Sequence, residues 1–205
     1  MKKTMITHLF LDIGGVLLTN GWDRHARQRA VEHFKLDGNE VEDRHHLVFE
    51  TFEEGKFTLD EYLSLVVFYK KQPFTQAEFR RFMFAQSKPY PEMIKLMYHL
   101  KAQYGMKIVV VSNEARELNA YRIKKFKLDN FVDSFISSCF VQLRKPDAAI
   151  FRLALDTAHA KAKHVLYIEN TPMFVQIAEE LGIQSILHTD YQSTCAKLVH
   201  HNLIR

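Results

Sequence analysis

His8-Leu9-Phe10-Leu11-Asp12-Ile13-Gly14-Gly15-Val16-Leu17 decides how the rest of the chain is read. Leu9 to Leu11 are apolar and suit a buried strand, and the strand stops at a carboxylate. The paired glycines behind Asp12 permit a tight turn whose backbone amides face whatever Asp12 holds. A parallel strand that delivers one acid at its carboxyl end marks a candidate active site. The same residues also describe a buried strand followed by a capping aspartate, so the remaining chain must decide between the two.

Working outward, 205 residues with 47% hydrophobic content suffice for one domain carrying a sizeable insertion, or for two small domains. No apolar run reaches membrane-spanning length, and Met1-Lys2-Lys3-Thr4 leads into a strand rather than a signal-peptide core. The expectation is a soluble, cytoplasmic protein with no membrane partner. Cys139 and Cys195 stand far apart and give neither metal-ligand spacing nor a disulfide framework. The net charge of +4 is scattered. Its densest group, Arg122, Lys124, Lys125 and Lys127, is interleaved with Tyr121, Ile123, Phe126 and Leu128 as on the solvated face of an amphipathic helix, which argues against nucleic acid as a partner. The surplus charge suits attraction of a phosphorylated metabolite. His45-His46 and His200-His201 lack helix-face spacing for a metal and read as surface residues.

From Trp22 to Lys88 the pattern is helical: Ala26 to Phe34, Val41 to Phe52, Leu59 to Tyr69 and Ala77 to Gln86. Thr19-Asn20-Gly21 and Ser87-Lys88-Pro89-Tyr90-Pro91 bracket this region, as hinges bracket an insertion. Thr58 with Glu61 makes a capping box. After Pro91, helices and strands alternate. Helices are expected from Glu92 to Tyr104, Arg116 to Lys127, Ala148 to His159 and Pro172 to Leu181, and strands from Lys107 to Asn113, around Phe135 to Ser138, from Val165 to Ile168 and from Gln184 to Leu187. That alternation predicts an α/β fold, a doubly wound, mostly parallel sheet covered by helices on both faces.

Three of these strands finish in polar residues: Asp12, then Ser112-Asn113, then Glu169-Asn170, with Lys145 on a loop between the last two. In a parallel sheet such ends lie along one edge, so the groups can converge. Asp12 suits a carboxylate nucleophile, Ser112 a donor to a phosphate oxygen, Lys145 a counter-charge, and Glu169 with Asn170 oxygen ligands for a hard cation.

In this order and spacing the motifs resemble the haloacid dehalogenase-like hydrolase superfamily, over His8 to about His188. The resemblance implies a Rossmann-like core of residues 1–19 and 89–205 with a small helical cap, residues 20–88, inserted after the first strand. It matches Asp12 to the nucleophile, Ser112 to the second-motif hydroxyl, Lys145 in Lys145-Pro146-Asp147 to the third-motif lysine, and Glu169-Asn170 to the acidic fourth motif. Most members are phosphatases of small phosphorylated molecules that use Mg2+ and an aspartyl-phosphate. The metal ligands would be Asp12, the Gly14 carbonyl, Glu169 and Asn170. Ser112, Asn113 and Lys145, together with Arg24 and His25 at the cap hinge, would bind substrate.

Two departures stand out. The phosphatases usually carry a second aspartate two residues after the nucleophile, as general acid and base, and here that position is Gly14. Asp23 or His25 are candidate substitutes. Asn170 replaces a carboxylate by an amide, which keeps an oxygen but weakens the hold on magnesium. Two alternatives follow: a 2-haloacid dehalogenase using Asp12 without metal, whose branch also lacks the second aspartate, and a non-catalytic relative that binds a phosphorylated ligand or a protein. The sequence selects neither a substrate nor an oligomeric state.

Overall fold

The computed structural model describes residues 5–204; the Met1–Thr4 lead-in and Arg205 lie outside the described residues. β1 (His8–Leu11) is the middle strand of a five-stranded parallel sheet, with β2 (Lys107–Ser112) and β3 (Ser134–Ser137) on one side and β4 (Val165–Glu169) and β5 (Gln184–Leu187) on the other. Both neighbours run level with it, since Leu11 pairs with Val110 of β2 and with Ile168 of β4. One residue further on, Asp12 donates its backbone N–H to the Ile168 carbonyl at 3.1 Å. The register therefore brings Asp12, Ser112 and Glu169 to the same edge, because all three leave parallel strands at the carboxyl end.

Alternation along the strands builds a core on each face. Leu9, Leu11, Ile108, Val110, Leu166 and Ile168 pack beneath α5 (Pro91–Tyr104) and α10 (Tyr191–His200). Phe10, Val109, Val111 and Tyr167 pack beneath α8 (Ala149–Thr157) and α9 (Pro172–Glu180). Two buried faces are why these strands read as unbroken apolar runs. The closing helix α10, which the sequence reading leaves out, packs Tyr191, Cys195 and Leu198 onto the first of these cores, with the polar Thr194 buried among them.

Between β1 and α5 stand α1 (Arg24–Phe34), α2 (Gly38–Glu53), α3 (Leu59–Val66) and α4 (Gln76–Ala85). The side chains of Asp23, Asp37, Thr58 and Thr75 cap their amino ends, with full capping boxes at Thr58/Glu61 and Thr75/Glu78. Helix α3 ends three residues before the expected Tyr69. Phe68 N–H turns back to the Leu63 carbonyl at 2.8 Å, and the Gln72 amide takes the Val67 carbonyl at 2.8 Å. These four helices share a core of their own, including Phe52, Leu59, Tyr62, Leu63 and Phe79, which Leu118 of α6 (Arg116–Lys125) joins.

The two chain crossings lie side by side, with Thr19 N–H donating to the Lys88 carbonyl at 2.8 Å and Tyr90 N–H to the Leu17 carbonyl at 2.9 Å. A second junction seats the insert on α7 (Ser138–Val141): Ser138 Oγ donates to the Glu53 carbonyl at 2.6 Å, and Gly55, at φ +69°, lies so close that a Cβ there would stand 2.3 Å from the Cys139 carbonyl oxygen. Among the described residues no helix is long and apolar enough to cross a membrane.

Candidate active site

At the sheet edge Lys145 is the hub. Its Nζ donates to Asp12 Oδ1 at 2.8 Å, to Glu169 Oε2 at 2.6 Å and to the Tyr167 hydroxyl at 3.1 Å, which uses all three of its protons. The loop carrying it is fixed by Asn113, whose side chain accepts from Lys145 N–H and donates to the Lys145 carbonyl, both at 2.8 Å. Phe174 covers the ammonium from 4.9 Å. Glu169 is wholly buried, and its four acceptor positions are taken: Lys145 and Tyr167 on Oε2, the backbone amides of Asn170 and Thr171 on Oε1 at 2.9 Å each. Ser112 is buried too, with Oγ donating to Glu114 Oε1 at 3.3 Å.

One ammonium serves two buried carboxylates, so the cluster carries a surplus negative charge. The consequence is visible in Asp12: burial, then the neighbouring Glu169, push its carboxyl up to about 7, against the pull of Lys145 and Ser112. Burial works against the charge on Lys145, but Asp12 and Glu169 outweigh it and hold the ammonium above its ordinary value. A cation or a positively polarised group beside Asp12 would remove the surplus.

Above this cluster, between the sheet edge and the helical insert, lies a cavity of about 460 Å³. Asp12, Gly14, Asn113, Lys145 and Asn170 line its floor, and Trp22, Arg27, His45, Phe49, Glu53 and Arg144 its upper wall. Arg24 and His25 are exposed and do not line it. The amphipathic turn of α1 brings Arg27 inward instead, three residues after Arg24. Asp23 reaches the cavity rim while its Oδ1 accepts from Ala26 N–H at 2.8 Å, as the cap of α1. Two surface assignments also change. His45 is 8% exposed because α2 turns it toward Tyr62, and its Nδ1 lies 2.8 Å from the Tyr62 hydroxyl. Arg122 is 1% exposed rather than solvated, held by both oxygens of Glu114 at 2.7 and 2.9 Å and by the Thr19 carbonyl at 2.7 Å. Lys124, Lys125 and Lys127 do face solvent.

A family model for haloacid dehalogenase-like hydrolases matches residues 6–184. The chain belongs to this hydrolase family. Among solved structures, a HAD family enzyme of Bacteroides thetaiotaomicron in a magnesium complex superposes with a TM-score of 0.78, at 19% identity, over 94% of this chain and 98% of that one. A predicted HAD-like hydrolase of Porphyromonas gingivalis superposes at 0.73, with 20% identity over 96% and 98%. The L-2-haloacid dehalogenase of Xanthobacter autotrophicus superposes at 0.62, with 14% identity over 98% and 85%. At these identities the likeness is one of fold. The bifunctional epoxide hydrolase 2 of Sus scrofa is 32% identical over 66 residues, which span 32% of this chain but only 12% of that protein.

The hydrolase also recruits residues that sequence reasoning passed over. Tyr167 stands two residues before Glu169 on the same side of β4, and a polar-tipped ring in an apolar strand beside a carboxylate was the available signal. Asn20 occupies the space beside Gly14: a Cβ on Gly14 would stand 3.0 Å from Asn20 Oδ1 and 3.9 Å from Asp12 Oδ2. An amide thus fills the region into which an aspartate at position 14 would project.

For a hard cation, the chain offers mainly neutral oxygens. Among the described residues no group of three His, Cys, Asp or Glu side chains converges to hold a metal. The terminal amide of Asn170 lies 3.2 Å from the Gly14 carbonyl oxygen and 2.9 Å from Glu169 Oε1. With its nitrogen toward them it donates to both, as a third donor on Oε1; turned with its oxygen toward a hard cation it would complete, with Asp12 and the Gly14 carbonyl, an oxygen set of the kind such ions take. Asp12, the Gly14 carbonyl and Asn170 fit such an ion. Glu169, with every acceptor position engaged, fits as the group behind them rather than as a direct ligand.

Proposed function

We propose that this hydrolase is a magnesium-dependent phosphatase of a small phosphorylated metabolite, with Asp12 as nucleophile and residues 20–88 acting as a cap domain over a core of residues 1–19 and 89–205. One observation carries the proposal: the buried Asp12 carboxylate, sharing Lys145 with Glu169, lies on a cavity floor beside the Gly14 carbonyl and the Asn170 amide. An Asp12 carboxylate oxygen attacks phosphorus and the ester P–O bond breaks. The departing oxygen takes its proton from water, since Gly14 supplies none. Water then attacks the phosphorus of the aspartyl-phosphate, inorganic phosphate leaves and the carboxylate is restored. Lys145 supplies a counter-charge to the phosphoryl group, Ser112 a hydroxyl donor, and Asn113 positions Lys145. Asp12, the Gly14 carbonyl and Asn170, with Glu169 behind them, would hold magnesium, which would supply charge neutralisation there. We place the activity in the cytoplasm, in keeping with the free thiols of Cys139 and Cys195.

The bare Gly14 favours a second reading, displacement of halide from a 2-haloacid by Asp12. Such a substrate is itself a carboxylate and needs a free cation, and the arginines of the cavity are all engaged by glutamates. Hydrolysis of p-nitrophenyl phosphate with and without magnesium, wild type beside Asp12→Asn, separates the two. Magnesium-dependent release of nitrophenol that vanishes in the variant is expected. Metal-independent turnover of 2-chloropropionate with none of the ester would establish the dehalogenase instead.

A further inference from the structure

Among the described residues three guanidiniums stand around the cavity, and each is paired with a glutamate, leaving only Arg122 Nε without a partner. Arg27 holds Glu42 through Nε at 2.6 Å and Nη2 at 2.8 Å, with Nη1 on the Trp22 carbonyl at 2.9 Å. Arg122 is clamped by Glu114 and the Thr19 carbonyl. Arg144, on the loop before Lys145, spans Glu53 Oε2 at 2.8 Å and Glu50 Oε1 at 3.0 Å. Asp23 adds another carboxylate at the rim. His45 adds no charge: burial, then the positive Arg27, lower it to about 4, so its ring is neutral at physiological pH. What the upper wall does offer is apolar ring surface, from Trp22, Phe49 and Phe52, the last stacked on Tyr62 at 4.1 Å between centroids.

From this we infer that the cavity accepts phosphate monoesters whose only anionic group is the phosphoryl itself, carried on an uncharged, ring-shaped or apolar alcohol. It rejects esters bearing a second phosphate or a carboxylate. The inference rests on the phosphatase reading for the phosphoryl end and on the neutralised arginines for the rest. A second anion would leave water for a wall whose guanidiniums are bound to glutamates and whose remaining polar groups, the Asp23 and Glu53 carboxylates, the Asn20 amide and the His45 and His46 rings, include no further ammonium or guanidinium, so its desolvation goes largely uncompensated. Losing a charge-assisted hydrogen bond in this way corresponds to roughly 10- to 100-fold in affinity.

The test is a matched pair. Titration of the full chain, with magnesium present, compares 4-carbamoylbenzylphosphonate with 4-carboxybenzylphosphonate, which differ only in the second charge and need no turnover. Binding of the carbamoyl compound at least tenfold tighter supports the inference, and narrowing of that gap in Glu42→Gln, which frees Arg27, supports the assigned cause. Glu50→Gln, at an exposed side chain, loosens Arg144 and serves the same purpose if Glu42→Gln fails to fold. Equal affinities, or binding of neither compound, overturn it. Hydrolysis of the corresponding phenyl phosphates is followed in parallel: selective binding without turnover would sink the phosphatase reading alone, and turnover without selectivity would sink this inference alone.

Discussion

Acid should weaken this protein through His45. The imidazole sits inside the helical insert with Nδ1 2.8 Å from the Tyr62 hydroxyl, and that hydroxyl accepts from Trp22 Nε1 at 2.9 Å. The Tyr62 proton is therefore directed at Nδ1, which must be the bare, accepting nitrogen. A second proton on the ring would set two donors against each other, in a buried position beside the Arg27 guanidinium. These effects, burial first, take the folded-state value from 6.5 to about 4, with Glu42 opposing only in part. Between those values the unfolded chain binds more protons than the folded one, so stability is fully present above about pH 6.5 and falls as the pH drops. At about 1.36 kcal/mol for each pH unit, the loss is about 2 kcal/mol at pH 5 and about 3 kcal/mol once the pH is below both values. Against a typical stability of about 5–15 kcal/mol this is readily measured.

Urea denaturation at pH 7.5, 6 and 5 on wild type and His45→Gln is the assay. Glutamine keeps an acceptor for Tyr62 and takes up no proton. All other titrating groups are common to both proteins, so the difference between the two pH profiles isolates the histidine. The expected result is a variant somewhat less stable at pH 7.5 whose deficit shrinks by about 2 kcal/mol by pH 5. Parallel profiles would refute the reasoning, because they would mean that His45 takes its proton equally well in both states.

Three other perturbations probe the site and its frame. Lys145→Met leaves Asp12 and Glu169 buried without their shared counter-charge, so it should abolish turnover and destabilise by about 3–5 kcal/mol, read by denaturant midpoint. Gly14→Asp restores a carboxylate two residues after the nucleophile, and because the one tight contact of its Cβ is Asn20 Oδ1 at 3.0 Å, pairing it with Asn20→Ala makes room. On an ester with a poor leaving group the double variant should turn over about a hundredfold faster, the low end of general acid catalysis, whereas no gain would mean that proton transfer is already supplied. Gly55→Ala drives a Cβ toward the Cys139 carbonyl at a positive φ, where the obstacle is backbone and cannot step aside; a loss of about 2 kcal/mol or more in thermal unfolding is expected.

The core was legible because its signals are local. Leu9 to Leu11, Lys107 to Ser112 and Val165 to Glu169 are short apolar runs that end in polar residues, and parallel register alone carries those ends to one edge. Asp12, Lys145 and Glu169 meet as expected from that edge. The cavity's upper wall was not legible, because which face of a helix turns inward depends on what it packs against. Arg24 and Arg27 are equivalent in the sequence, yet only Arg27 finds a carboxylate, Glu42, fifteen residues away on the next helix. Arg122 looked like one cation in a solvated stripe, and nothing local marks it as the partner of Glu114 across a turn of chain. Periodicity registers apolar faces, and a buried ion pair is silent to it.

That silence bears on how the site divides its work. The floor concentrates unbalanced charge around Asp12, where one lysine serves two carboxylates, whereas the wall cancels charge pair by pair, Arg27 with Glu42, Arg122 with Glu114, and Arg144 with Glu50 and Glu53. The Arg144 pairs also join the core loop to α2, so the same contacts that neutralise the wall hold the insert over the floor. A free arginine there would attract a second anion but would leave the insert without this tether. Closure of the cavity and rejection of further negative charge thus come from one set of ion pairs. Loosening them by Arg144→Ala should raise solvent access to the cavity, read as faster hydrogen exchange of the α2 carboxyl-terminal amides, with the sheet amides unchanged. Equal acceleration in β1 and β4 would show instead that Arg144 supports the whole fold rather than the seating of the insert.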